Sequence, residues 1–419
     1  MSCQTLPECL SADMLEEEEE EDLEVFTKKM SGETPLPSTP SSLVNQYHLD
    51  GDGDEEQQMD AKDLFVTVDK PESHITALET FIMYRVLTKT TRSEFDSCEY
   101  EVCRRYQDFV WLRSRLEESH PTLIIHPLPE KFVMKGMVDR FNNDFIETRK
   151  NALHRFLNKM AEHPILSFSQ HLKVFLTAQD FPSHKKQGPG FLSRMSDTVR
   201  AVANSVRGLK SRPEEFSVMQ DYVENFSNKI SAVDKVSQRI IREQREYLDE
   251  LKQYGPTYSQ WADTEEELGE PLRRVASCVE RCCKETETQI HHLSEVMVPT
   301  LHEYVLCGEV LKAVMRRRDN IQTDFETKNE ALLSKKTELE ACQLQDEVNA
   351  LADRMELANN ALRGDWVHWQ NSAREDLKSA FISTADKNVD CYEKCLAVWE
   401  SFLLSQRRED IEERHEDSI

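Results

Sequence analysis

Glycine is scarce in this chain, 11 residues in 419, and only Gly255, Gly269, Gly308 and Gly364 lie beyond residue 213. With 31% charged residues and a mean hydropathy of −0.63, that composition points to long, solvent-washed helices instead of a compact, turn-rich enzyme. No apolar run approaches the roughly 20 residues that a bilayer-spanning helix needs. The chain opens on polar and acidic residues instead of a signal peptide, so any membrane contact is expected to be peripheral. A nucleophile elbow, a phosphate-cradling glycine loop and a metal-binding histidine pair are all missing, and His291 and His292 are adjacent, a poor geometry for one metal on a helix. Enzymatic activity is not expected. The 11 cysteines fall in no zinc spacing: Cys278, Cys282 and Cys283 bunch without histidine partners, and Cys391 and Cys395 sit one helical turn apart. They read as reduced, buried thiols, with no metal or other cofactor.

Charge is abundant but uneven. The net −26 divides into −14 over residues 1–62, −1 over 63–180, +6 over 181–213 and −17 over 214–419. Location therefore matters more than the sum. A nucleic-acid partner is disfavoured, because no extended basic stripe exists outside 185–212. Residues 1–62 carry the acidic run Glu16 to Asp22 and a Pro/Ser stretch around Pro35 to Ser42, with too few apolar residues to repay ordering entropy. A disordered acidic tail is expected there.

From residue 63 to 180 the pattern changes. Leu64–Val68, Leu78–Leu87 and Tyr100–Tyr106 are rich in β-branched and aromatic residues and fit three antiparallel strands. Asp108–Glu118 spaces Phe109, Leu112 and Leu116 as a helix. A loop punctuated by Pro121, Pro127 and Pro129 follows, then helices near Val138–Glu162 and Ile165–Thr177.

Residues 214–410 show apolar positions recurring at three and four. Phe216, Met219, Val223, Phe226, Ile230 and Val233 form one stripe; Leu344, Val348, Leu351, Met355, Ala358, Leu362, Trp366 and Trp369 form another. Breaks at Gly269-Glu270-Pro271 and at the polar Ser334–Gln343 stretch divide the region into three helices, about 214–263, 271–338 and 344–408, with kinks at Gly255-Pro256 and Pro299. Helices of roughly 50–70 residues would each span about 75–100 Å, which makes a rod. Apolar stripes on three long helices cannot all be covered within one copy, so dimerisation is expected.

The chemistry concentrates at Arg104-Arg105-Tyr106-Gln107-Asp108-Phe109, where guanidinium groups adjoin an aromatic ring. Arginine donates paired hydrogen bonds to a phosphate, and a tyrosine face packs against the apolar side of an inositol ring. Downstream come Pro127-Leu128-Pro129-Glu130-Lys131, a stiff loop presenting one lysine, and Arg149 within Glu147-Thr148-Arg149-Lys150. These three signatures, in this order, resemble the PX domain of sorting nexins across residues 63–180. The resemblance implies that Arg105 grips the 3-phosphate, Tyr106 stacks under the inositol, Gln107 adds a contact to that phosphate, Lys131 reaches the 1-phosphate, and Arg149 bonds the 4- and 5-hydroxyls. The lipid so implied is phosphatidylinositol 3-phosphate. Arg104, by contrast, reads as structural or surface. His126 stands where the family usually has another proline, and the loop is expected to be slightly less rigid for it.

After Lys131 the apolar stretch Phe132 to Val138 offers Met134 and Met137 for insertion into a bilayer. In the basic linker 181–213, the segment from Gly190 to Lys210 repeats apolar residues, among them Phe191, Leu192 and Val202, with Arg194, Arg200 and Arg207 on other faces. It reads as an amphipathic helix suited to an anionic leaflet. Arg316-Arg317-Arg318 and Lys335-Lys336 are basic clusters that either face a membrane or are simply solvated.

The order of PX domain, amphipathic linker and three-helix rod resembles the sorting nexins that carry a BAR domain. That resemblance implies an α+β PX domain followed by an all-α BAR coiled-coil rod, with a peripheral location on the cytosolic face of early endosomes. It also implies work in endosomal sorting, recycling and autophagy, as a homodimer or as a heterodimer with a related sorting nexin, sorting nexin-4. The alternative is an interaction scaffold that dimerises through its helices and has no functional lipid pocket.

Overall fold

The computed structural model describes residues 62–75, 80–130, 142–185, 212–334 and 338–416. The acidic tail and most of the basic linker lie outside these residues, as do Lys131, Met134 and Met137 in the loop after Glu130, and Phe191, Leu192 and Val202 in the linker.

Three strands, β1 (Leu64–Ile75), β2 (Thr80–Thr90) and β3 (Glu99–Arg105), form an antiparallel sheet in the order β1-β2-β3. Alternation sends Leu64, Val66 and Val68 of β1, Tyr84 and Val86 of β2 and Val102 of β3 to one buried face, as the two-residue period of a strand requires. β1 runs seven residues beyond the expected end at Val68. A bulge between Asp69 and Glu72 makes this possible: Lys70 takes a left-handed φ of 40°, and Arg85 grips Asp69 with two hydrogen bonds of 2.7 Å. A single residue in that region costs about 1 kcal/mol or more, and the paired bonds beside it hold the turn in place.

Helix α1 (Tyr106–Ser119) takes over directly from β3, two residues earlier than the pattern suggests, and α2 (Asn143–Glu162), a 3-10 turn at Leu166–Phe168, α3 (Gln170–Thr177) and α4 (Phe181–Lys185) follow. Asn142 caps α2 by accepting from the Asp144 N–H at 2.8 Å, and Ser169 caps α3 by accepting from His171; both are preferred N-cap residues. Phe109, Leu112 and Leu116 of α1 are wholly buried, as are Leu153, Phe156 and Leu157 of α2. They close the apolar face of the sheet.

The remainder is helical: α5 (Glu214–Leu251), α6 (Tyr254–Ala262), α7 (Gly269–His292), α8 (Val298–Leu333) and α9 (Glu338–Glu416). The interruption expected at Gly255-Pro256 separates α5 from α6. That at Pro299 is a π turn, Leu293–Met297, set between α7 and α8; proline cannot donate to the carbonyl four residues back, and the wider turn absorbs the misfit. At 79 residues, α9 extends roughly 120 Å.

Val233 departs from expectation, being 44% exposed while Asp234 takes the inward place at 5%. A straight helix of 3.6 residues per turn drifts about 20° per heptad against a 3.5-residue stripe. The buried positions pass accordingly from Phe216, Val223 and Ile230 to Asp234, Ile241 and Leu248. Asp234 is tolerated inside because Gln238 donates to it at 3.0 Å and His302 lies 3.4 Å away.

Phe216 ties three rod helices together. It is fully buried on α5, with the guanidinium of Arg318 on α8 4.2 Å and that of Arg363 on α9 5.5 Å from its ring centroid. Phe216→Ala should cost about 3–5 kcal/mol, since it opens a cavity and strips the aromatic face from a buried charge. Urea denaturation of the full chain measures the loss; a change below about 1 kcal/mol would refute this account of the helix junction.

Candidate functional site

Strand parity decides the roles of the two adjacent arginines. Arg104 pairs across the sheet with Tyr84, and Arg105 with Met83, so their side chains leave on opposite faces. Arg104 is 1% exposed. Its guanidinium donates to the carbonyls of Phe175 at 2.9 Å, Cys103 at 3.0 Å and Ala178 at 2.6 Å, and it lies 4.4 Å from the Phe181 ring centroid. It pins α3 and α4 to the sheet. Burial pulls its pKa down to about 10, which Asp108 partly opposes, so the group stays charged near neutral pH.

Arg105, in contrast, is 39% exposed. Its backbone N–H donates to the buried carboxylate of Asp108 at 2.9 Å, and its guanidinium nitrogen Nε lies 3.8 Å from the same carboxylate. Asp108 thus satisfies the N-terminus of α1 and restrains the arginine that precedes it. Gln107 is exposed on the first turn of α1.

Tyr106 and Arg149 meet although 43 positions separate them in the chain. The Arg149 guanidinium sits 4.6 Å from the centroid of the Tyr106 ring and 4.2 Å from that of Phe145. The Tyr106 hydroxyl donates to the Pro129 carbonyl at 2.6 Å, and Arg149 Nη2 donates to the Glu130 carbonyl at 3.1 Å. Burial raises the Tyr106 hydroxyl and lowers the Arg149 guanidinium. Tyr84, whose hydroxyl is pushed up to about 12 chiefly by burial, also touches Arg149. The strand pattern marks Tyr84 as inward-facing but gives no hint of this contact.

The Pro127–Glu130 loop is therefore held by two side chains of the site, and its other end is tethered elsewhere. His126 is 8% exposed, and its Nε2 pairs with the Glu303 carboxylate on α8. Arg155 of α2 donates to the other oxygen of that carboxylate at 2.5 Å, and Arg113 of α1 donates to the His126 carbonyl at 3.2 Å. Burial alone would raise the Glu303 carboxyl, but His126 and Arg155 outweigh it and hold it at about 2. The slack expected from the missing proline is thus taken up by a buried side-chain contact with Glu303. A second contact repeats the design: Asp365 of α9 accepts from the Ile124 N–H at 2.5 Å and bonds His163 Nε2 at 2.6 Å. His163 Nδ1 accepts from the N–H groups of Ile165 and Leu166, which leaves Nε2 as the donor.

The basic cluster on α8 does not read as a membrane face. Arg318 is buried against Phe216 and donates to Asn359 at 2.9 Å, and Arg317 packs towards Glu117 of α1 at 3.7 Å; only Arg316 of the three is exposed. Lys335 and Lys336 lie outside the described residues. Of the described cysteines, Cys278, Cys283, Cys307 and Cys391 are buried, whereas Cys98, Cys103 and Cys342 are exposed.

Comparison with known proteins agrees with this arrangement. The PX domain family pattern matches residues 92–179. The chain is 55% identical to human sorting nexin-7 over 384 residues, which are 91% of this chain and 97% of that protein. It belongs to the sorting nexins. This sorting nexin is also 47% identical to sorting nexin-30 of Mus musculus over 378 residues, 90% of its own length and 85% of the relative's. Its fold matches the cryo-EM structure of the SNX-BAR Mvp1 tetramer with a TM-score of 0.55, covering 81% of this chain and 99% of that one at 16% identity. A PX domain followed by a BAR-type helical region is the architecture of this sorting nexin.

The two arginines should separate in experiment. Arg104→Ala leaves buried carbonyls without donors and should destabilise this sorting nexin by roughly 2–4 kcal/mol, while Arg105→Ala should change stability by no more than about 1 kcal/mol. Thermal unfolding of the two variants side by side checks this, and equal losses would contradict the parity assignment.

Proposed function

We propose that this sorting nexin is a peripheral membrane protein that recognises phosphatidylinositol 3-phosphate on early endosomes and acts there, as a paired BAR rod, in endosomal sorting, recycling and autophagy. In this reading Arg105 grips the 3-phosphate, Tyr106 lies under the inositol ring with Gln107 beside it, Lys131 reaches the 1-phosphate, and Arg149 bonds the 4- and 5-hydroxyls. The observation that supports it best is the contact of Arg149 with the Tyr106 ring, one residue from Arg105, with loop carbonyls fixing both side chains. That constellation joins a cation, an aromatic face and a hydroxyl-directed donor, the groups an inositol phosphate engages. No helix among the described residues is long and apolar enough to cross a membrane. Met134 and Met137, and Phe191, Leu192 and Val202 of the linker, are proposed to supply shallow insertion.

The pairing surface is the second half of this reading. On α9, Val389, Tyr392, Leu396, Trp399 and Leu403 recur at three and four residues and are 37–66% exposed, and on α5 Val236, Ile240 and Tyr247 are similarly open. An uncovered heptad seam is what a second rod would bury. The partner is proposed to be a second copy or a related sorting nexin, sorting nexin-4 among them. Two linked weak head-group sites then exceed one by roughly a hundredfold or more.

Arg105→Ala should lower affinity for liposomes containing the 3-phosphate more than tenfold, the equivalent of about 1.5–3 kcal/mol, and Arg149→Ala should weaken binding and blur discrimination among phosphoinositides. Co-sedimentation with liposomes of defined composition checks both; wild-type retention of Arg105→Ala would refute the pocket. The full chain should sediment as a dimer at micromolar concentration, and Tyr392→Glu with Leu396→Glu should reduce it to monomer. A monomeric wild type, alone and with sorting nexin-4, would defeat the pairing.

A further inference from the structure

Glu303 belongs to the rod, yet its two carboxylate oxygens divide between the two walls of the lipid pocket. One pairs with His126, three residues before Pro129 in the loop; the other accepts from Arg155, six residues beyond Arg149 on α2. The loop wall presents the carbonyls of Pro129 and Glu130 to Tyr106 and Arg149, and the α2 wall carries Arg149 itself. The Glu303 side chain is 12% exposed, so the contact is little screened by water. A cavity of about 510 Å³ runs alongside, lined by Pro127–Glu130 and Arg149 from one domain and by Ile241, Pro299 and His302 from the rod. The loop therefore has room to shift away from α2 wherever no bond prevents it.

We infer that Glu303 is a positioning residue for the head-group pocket: a carboxylate of the BAR rod that staples the Pro127–Glu130 loop to α2 and so sets the separation of the groups that hold Tyr106 and Arg149. The inference rests on the pocket assignment made above. Its physical basis is preorganisation: a site whose walls are already fixed spends less of its binding free energy on ordering them, and a loop left about 1 Å loose binds more weakly without any ligand contact being lost. Among the described residues Glu303 touches no proposed lipid-contacting side chain, and it acts through His126 and Arg155. The end of α2, through His163, and the chain entering the loop, through Ile124, are also held at Asp365, so removing one staple loosens the pocket without separating the domains.

The test uses the full chain and the soluble head group inositol 1,3-bisphosphate, which removes avidity and membrane curvature from the measurement. Isothermal titration calorimetry separates a misplaced pocket from a misfolded fraction: the first raises Kd at unchanged stoichiometry, the second lowers stoichiometry at unchanged Kd. Glu303→Gln and His126→Gln should each raise Kd roughly three- to tenfold, and the double variant should be little worse than either single one. Glu215→Gln removes a rod carboxylate whose partner is Arg363 on α9, and it should leave Kd unchanged. Wild-type Kd in folded Glu303→Gln overturns the inference, as do additive effects of the two substitutions or a loss confined to stoichiometry. Should Glu303→Gln not fold, His126→Gln decides alone, and wild-type Kd there overturns the inference. Arg105→Ala is the arm for the pocket itself: its loss of binding alongside wild-type Kd in Glu303→Gln sinks the staple alone, whereas retained binding in Arg105→Ala sinks the assignment and the staple together.

Discussion

Neighbouring residues on a strand face opposite ways, and at Arg104 and Arg105 that constraint separates the inside of the domain from its working surface. Arg104 turns inward and spends its donors on the carbonyls of Phe175, Cys103 and Ala178, so the last helices of the domain close against the sheet. Arg105 turns outward, half-exposed and steadied by Asp108. A one-residue slip of β3 would exchange them, burying the arginine proposed to hold the head group and exposing the one that pins the helices.

Much of the fold was legible because short-range patterns carry it. The three strands, the helix at Phe109–Leu116 and the three-part rod follow from periods of two and three to four residues, and the breaks follow from glycine and proline. The misreadings have physical causes as well. A strict heptad extended along a straight helix puts Val233 inward; the drift hands the place to Asp234. The run Arg316 to Arg318 looked like a surface cluster because three adjacent charges usually are one, but successive helical residues point about 100° apart, and Arg318 falls on the inner face beside Phe216.

The neighbourhood of the site was less legible than its motif. Arg105, Tyr106 and Arg149 stand out by residue type and order. Glu303 does not: it meets His126 from 177 positions away, and nothing about an isolated glutamate on a long helix of mixed charge marks it. His126 escapes notice for the same reason. As a substitute for proline it suggested slack, whereas its partner across the domain contact makes it an anchor. Such contacts are invisible to periodicity because they depend on how two separately readable domains meet.

Ile124 shows what that meeting means for the molecule as a set of parts. It lies in the PX segment of the chain, yet its buried side chain belongs to the apolar cluster of the helical rod, with Phe216, Leu301 and Trp366, and its backbone is bonded to Asp365. A cut between the domains drawn along the sequence therefore passes through one packed interior. Transplanting this PX domain onto a foreign rod would leave Ile124 against an unmatched surface and Asp365 facing a gap. Exchanging either module would require the two faces to change together, so the pair behaves as one packed unit rather than as interchangeable beads on a string.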